Sequence, residues 1–189
     1  YGCAETPAQP VEAPQVVQTE APAATEAPVL LETVDYAASV KLDMGSETVK
    51  EMVSVKMFID GDTTHFYVPA SVSGNGVLKA RYLAVNTPES TGKIEVWGKK
   101  ASSFTKEKLS GASSIVVESD NGSWNLDSTG GRHLVWVWYK TADMDDYRNL
   151  NLEIMQEGLA FASSYTDFVY ADACRACYGG CRPNRRKRP

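Results

Sequence analysis

Between Val53 and Val85 the chain alternates apolar and polar side chains at a period of two, and this constrains the fold more than any other feature. Val53, Val55, Met57 and Ile59 alternate with Ser54, Lys56 and Phe58, the signature of a strand with one face buried. Thr63 to Val68 is a second β-prone run. Leu78, Ala80, Tyr82 and Ala84 point to one face of a third, leaving Lys79, Arg81, Leu83 and Val85 on the other. The joints between these runs are Asp60-Gly61-Asp62 and the Pro69 to Gly76 stretch with its Ser-Gly-Asn-Gly. A β-meander follows, with Arg81 in mid-strand between Lys79 and Asn86.

Downstream the period changes. Ala101, Phe104, Leu109 and Ala112 lie near one stripe at helical spacing, which predicts a helix over 98–111 closed by Gly111. Ser114 to Ser119 and Leu134 to Lys140 read as strands, Asp120 to Gly131 as a loop, and Asn149 to Glu157 as a shorter helix stopped by Gly158. Tyr36 to Leu42 is expected to be a further strand. A mainly β protein with helices results, of α+β class. A small Greek-key barrel satisfies this order, although periodicity alone leaves other α+β folds open.

The ends differ from the middle. Residues 1–35 carry six acids and no Lys or Arg, 36–173 carry 13 basic and 18 acidic residues, and 174–189 carry six basic and none acidic. The first segment is dominated by Ala, Pro, Glu, Gln, Thr and Val and lacks the apolar surface to offset ordering, so it reads as a disordered tether. Cys3 after Gly2 resembles the acylated end of a bacterial lipobox; a lone thiol in a floppy tail is the bland alternative. The expected domain is 36–173, followed by a basic tail at 174–189. There Cys174, Cys177 and Cys181 stand at metal-like spacing without a fourth ligand. A net charge of −5 argues against a broad basic nucleic-acid face, though a cleft for a few phosphates stays open.

The chemistry concentrates between Ile59 and Glu89. Asp62 is a hard oxygen donor on a turn, suited to Ca²⁺, or else ordinary turn chemistry; Asp60 reads as the turn former. Arg81, on an otherwise apolar strand, must meet an anion or reach water. Glu89 follows Thr87-Pro88 on a stiffened turn. Arg132 follows Gly130-Gly131, and its bland reading is a solvated loop arginine. Trp97, Trp124, Trp136, Trp138 and Tyr139 could stack bases, with two of the three in the last strand expected in the core. His65 and His133 read as packing residues.

Asp-Gly-Asp-Thr, then RYLAVNTPE eighteen residues on from Thr63, then WGKKASSFTKEKL and GGRHLVWVWY, stand in one order over roughly Val49 to Ala162. Together they resemble the staphylococcal-nuclease-like (thermonuclease) family. The resemblance implies an OB-fold, a five-stranded Greek-key barrel. It also implies a calcium-dependent phosphodiesterase that acts as an endonuclease on DNA and RNA. Its metal ligands would be Asp62, Asn86 and the Thr87 carbonyl, its general base Glu89, and its phosphate-clamping arginines Arg81 and Arg132. The family usually has Asp where this chain has Asn86, which removes one formal charge and implies weaker calcium binding. Its base-stacking tyrosines align with Ser164 and Thr166, with Tyr165 and Tyr170 nearby. A monomer at the cell surface or outside the cell is expected, touching the membrane only through a lipid on Cys3. The rival is a catalytically inactive OB-fold module that binds nucleic acid or a protein partner.

Overall fold

The period-two segments do form strands, and they close on themselves. The computed structural model describes residues 34–88, 97–162 and 168–180. Within them lie α1 (Tyr36–Ser39), β1 (Lys50–Asp60), β2 (Thr63–Tyr67), β3 (Val77–Tyr82), β4 (Val85–Asn86), α2 (Gly98–Ser110) and β5 (Ser114–Glu118). After these come β6 (His133–Lys140), β7 (Arg148–Asn149), α3 (Leu150–Gln156), β8 (Phe161–Ala162) and α4 (Ala171–Gly180).

β1, β2 and β3 form the antiparallel meander, β5 pairs with the start of β1, and β6 pairs with β5. The ring is completed by a parallel pairing of β3 with β6, in which Arg81 lies opposite Leu134. Five strands thus make a closed mixed barrel of OB type with four helices around it. Closure removes the exposed sheet edges that would otherwise invite aggregation.

Alternation sorts the side chains. Phe66, Leu78, Ala80 and Tyr82 are buried inside the barrel with Val135 and Val137. All three aromatics of β6 are in the core, one more than expected: Trp136 and Trp138 are wholly buried and Tyr139 nearly so. Their polar atoms are paired, Trp138 Nε1 donating to Glu118 Oε2 at 2.8 Å and Tyr139 Oη to Glu153 Oε2 at 2.6 Å. Those bonds make burial of the polar aromatics affordable.

Three expectations change. Tyr36–Ser39 is a helical turn and not a strand, because the Asp35 side chain accepts from Ala38 N and Gln156 Oε1 accepts from Tyr36 N. β3 stops at Tyr82, where Leu83-Ala84 turns and Ala84 takes φ 63°. The cysteine tail is partly core: α4 continues through Tyr178-Gly179-Gly180, and Cys174 and Cys177 are buried against the domain. Burial pushes the Cys174 thiol up to about 12, which disfavours the thiolate a metal would need.

Candidate active site

The Asp60-Gly61-Asp62 turn is fastened to α2. Thr105 Oγ1 donates to Gly61 O at 2.7 Å, and an added Cβ on Gly61 would stand 2.7 Å from Ala101 Cβ. Gly61 does not have a positive φ, so glycine is there for the close approach of helix and turn, not to permit the bend. Asp60 Oδ1 accepts from Asp62 N at 3.2 Å, the turn-forming role read from the sequence.

This leaves Asp62 only 1% exposed, with each oxygen engaged. Thr63 Oγ1 donates to Oδ1 at 3.0 Å and Thr87 N donates to Oδ2 at 2.7 Å. The remaining partner is Arg81, whose Nη1 forms an ion pair with Oδ1. Register explains the meeting, since Thr63 lies directly opposite Arg81 across β2 and β3. Arg81 Nη2 also donates to Asn86 Oδ1 at 2.8 Å, so one guanidinium fork spans Asp62 and Asn86.

Asn86 returns to Arg81 because the chain doubles back at Ala84. A positive φ costs a non-glycine residue roughly 1 kcal/mol or more. The surroundings hold the turn in place: Leu83 N donates to Val135 O at 2.9 Å, and the buried Asn151 Nδ2 donates to Leu83 O at 2.9 Å.

Arg132 approaches from the entry to β6. Its Nε donates to Asp127 Oδ2 at 2.6 Å, and Thr129 Oγ1 donates to Oδ1 of the same carboxylate at 2.6 Å. Burial alone would raise Asp127, but the Thr129 and Arg132 hydrogen bonds and the Arg132 charge win and hold it at about 2. Arg132 is therefore not a loop arginine in water. Arg81, Arg132, Asp127 and Phe168 line one cavity of ≈ 340 Å³, floored by the Leu83-Ala84 turn. Asp60 stands close enough to feel both guanidinium charges. Burial pushes its carboxyl above the usual range, against the pull of a Thr63 hydrogen bond and of Arg81 and Arg132.

Residues 79–177, more than half of the chain, match the family model of staphylococcal nuclease homologues. The chain belongs to this family. No curated protein matches the sequence. The family match begins at Lys79 and leaves out the Asp60 to Asp62 turn, and here it is the contact with Arg81 that ties the turn to the family's core.

In this nuclease homologue, Asp62, Arg81, Asn86 and Thr87 come together, Thr87 through its backbone N on Asp62 Oδ2, and Arg132 lines the same cavity as Arg81. Glu89 lies outside the described residues, as do Ser164, Tyr165, Thr166, Cys3 and Cys181. Tyr170 is half-buried, stacked edge-on against Trp136 and Trp138, with its hydroxyl on Glu118. That makes it a packing residue. One acid, Asp127, is not expected at the site from the sequence; only its placement five residues before Arg132 in a Ser-Thr-Gly-Gly loop hints at it.

The donor set suits a hard cation. Asp62, Asn86 and Thr87 offer oxygens alone, Asp62 Oδ1 and Asn86 Oδ1 converge on one guanidinium, and Thr87 Oγ1 is buried with no hydrogen-bond partner among the described residues. Among the described residues no group of three His, Cys, Asp or Glu side chains is placed to hold a metal, so the set is poor in charge.

Proposed function

We propose that this nuclease homologue hydrolyses phosphodiester bonds of DNA and RNA, with calcium, in the cleft between Arg81 and Arg132. The observation that carries the reading is the pair of arginines, from separate elements, lining one small cavity beside the fixed carboxylate of Asp62. A guanidinium fork matches two phosphate oxygens and stabilises the charge that builds on a pentacoordinate phosphorus.

Asp62, Asn86 and Thr87 would hold Ca²⁺, which when bound supplies Lewis-acid polarisation of a phosphate oxygen. Arg81 and Arg132 bind and orient the phosphodiester. Glu89, carried over from the Thr87-Pro88-Glu89 motif, takes a proton from the attacking water as its oxygen bonds to phosphorus. The 5′ oxygen leaves with its bonding pair and takes up a proton, and the product keeps a 3′-phosphate. The acidic, proline-rich segment after Cys3 supports an acylated protein at the cell surface.

One observation favours a second reading, an inactive binding module. Arg81 is already engaged by Asp62 and Asn86, and Asn86 brings no charge to a metal. Incubating the full chain with plasmid DNA and with RNA, in calcium and in chelator, decides between the two. Chelator-sensitive digestion supports the hydrolase; binding without cutting in calcium supports the module and overturns it.

A further inference from the structure

Asp127 stands at the cleft in a way that holding its own loop does not explain. Its side chain is 8% exposed, and both oxygens are engaged. Oδ2 accepts from Arg132 Nε at 2.6 Å, while Oδ1 accepts from Thr129 Oγ1 at 2.6 Å and from Thr129 N at 3.2 Å. Thr129 fixes the carboxylate from the loop side, so it meets the Arg132 guanidinium through Nε alone. The two terminal amino groups of Arg132 have no hydrogen-bond partner among the described residues. One fork of Arg132 is thus left for two oxygens of a ligand, while its charge is already answered by a carboxylate.

The charges of the cavity cancel. Its charged lining consists of Arg81, Arg132 and Asp127, and Arg81 is paired with Asp62 as Arg132 is with Asp127. Asp60, close enough to feel both guanidinium charges, adds no positive one. Leu83, Ala84, Val85, Leu134 and Phe168 make the rest of the wall largely apolar, so charges there are screened less than in water. A phosphodiester brings one negative charge and two non-bridging oxygens, which match one guanidinium fork. A phosphomonoester brings close to two charges above its second pKa of about 6, and Asp127, held at about 2, is ionised throughout that range. The second charge therefore has a carboxylate beside it and, among the described residues of the cavity, no cation that is not already paired.

We infer that Asp127 is a specificity residue, which makes this cavity hold a phosphodiester in preference to a phosphomonoester of the same nucleoside. Hydrolysis turns the first into the second, as the new P–OH gives up its proton, so the same carboxylate hastens the loss of product. What becomes of the diester rests on the hydrolytic reading of the Arg81–Arg132 cleft; which phosphate is held rests on the cavity alone.

Isothermal titration calorimetry with thymidine 3′-phosphate and with its methyl diester tests this. The titrations run at about pH 8, where the monoester carries its second charge, and in chelator, which removes the pull of calcium on that charge. Wild type should bind the diester about tenfold or more tightly than the monoester, the scale of one unanswered charge at short range. Asp127→Asn keeps an acceptor for Arg132 and Thr129 but removes the charge, and should bring the two affinities within about threefold of each other. Asp127→Glu keeps the charge and should keep the preference. Thermal melts confirm that each variant folds, and where one does not, the wild-type ratio decides. A wild type that binds the monoester as tightly as the diester overturns the inference, as does one that binds neither. So does a folded Asp127→Asn with the wild-type ratio, or a folded Asp127→Glu that has lost it. A wild type that shows the ratio and cuts no nucleic acid removes the hydrolase reading and leaves the inference standing; digestion without the ratio does the reverse.

Discussion

Gly61→Ala tests whether α2 and the acidic turn are locked together. The added Cβ would stand 2.7 Å from Ala101 Cβ and 2.9 Å from both Thr87 Cγ2 and Thr87 Oγ1, where carbons prefer about 3.5–4.0 Å. Thr87 could turn away, but Ala101 is wholly buried and its Cβ moves only with the helix backbone. Overpacking of this kind costs about 1–3 kcal/mol. At roughly 2–4 °C per kcal/mol for a domain of this size, Tm should fall by about 2–12 °C. Circular-dichroism melts measure it, with Gly74→Ala as the control, since a methyl there meets nothing within 4 Å. Ala101→Gly alone should cost about 1 kcal/mol as a helix-interior glycine. Combined with Gly61→Ala it should cost less than the sum, because the clash is gone. If Gly61→Ala melts with wild type, or if the two changes simply add, the close approach of turn and helix is not what fixes Asp62.

Three further substitutions probe the donors. Thr87→Val replaces a buried hydroxyl that has no partner among the described residues and whose burial then costs about 1–3 kcal/mol. The variant should melt at or above wild type in chelator, and a clear drop would show that the hydroxyl has a structural partner. Asn86→Asp adds a charge at the Arg81 fork and should lower the calcium needed for half-maximal digestion by about tenfold or more; an unchanged calcium response counts against the ligand assignment. Asp127, at about 2 in the folded chain against an ordinary 3.8, lends stability that is fully present above 3.8 and is lost as pH falls through about 2. Melts of Asp127→Asn across that window should therefore depend less on pH than those of wild type.

Local pattern and tertiary pairing explain which parts of this molecule could be read in advance. β1, β2, α2, β5, β6 and α3 each carry a period or a cap inside their own residues, and they lie along the chain where period and cap put them, although in β1 a register shift between Val55 and Met57 turns Met57 outward and Phe58 towards the core. The parallel pairing of β3 with β6 has no local signal, because its partners, such as Arg81 and Leu134, are 53 residues apart, yet it closes the barrel and carries Arg132 to the cavity that Arg81 lines. Tyr36–Ser39 misled because its helical turn depends on distant groups: Gln156 accepts from Tyr36 N, and Arg148 pairs with Asp35. Alternation continues through Leu83 and Ala84 and so predicts a longer β3, while the backbone there is bent by contacts to Asn151 and Val135. In the site, Asp62 and Arg81 were legible from motif order. Asp127 was not, since its role depends on a loop conformation held by Thr129.

The two arginines differ in how they are held, and their conservative variants should differ accordingly. Arg81 is 20% exposed, with one terminal amino group on a carboxylate that is 1% exposed and the other on Asn86 Oδ1. A lysine keeps the charge but cannot span both acceptors, so Arg81→Lys disturbs Asp62 and Asn86 together with the proposed phosphate contact. Arg132 is 36% exposed and meets Asp127 through Nε, a single contact that an ammonium can reproduce at the rim of the cavity. Arg81→Lys should lower kcat/KM about a hundredfold or more, the scale of one lost transition-state donor or about 2.7 kcal/mol. Arg132→Lys should lower it about tenfold, with no change in Tm. Equal losses in the two variants would mean that the fork between Asp62 and Asn86 sets neither the position nor the strength of the phosphate clamp.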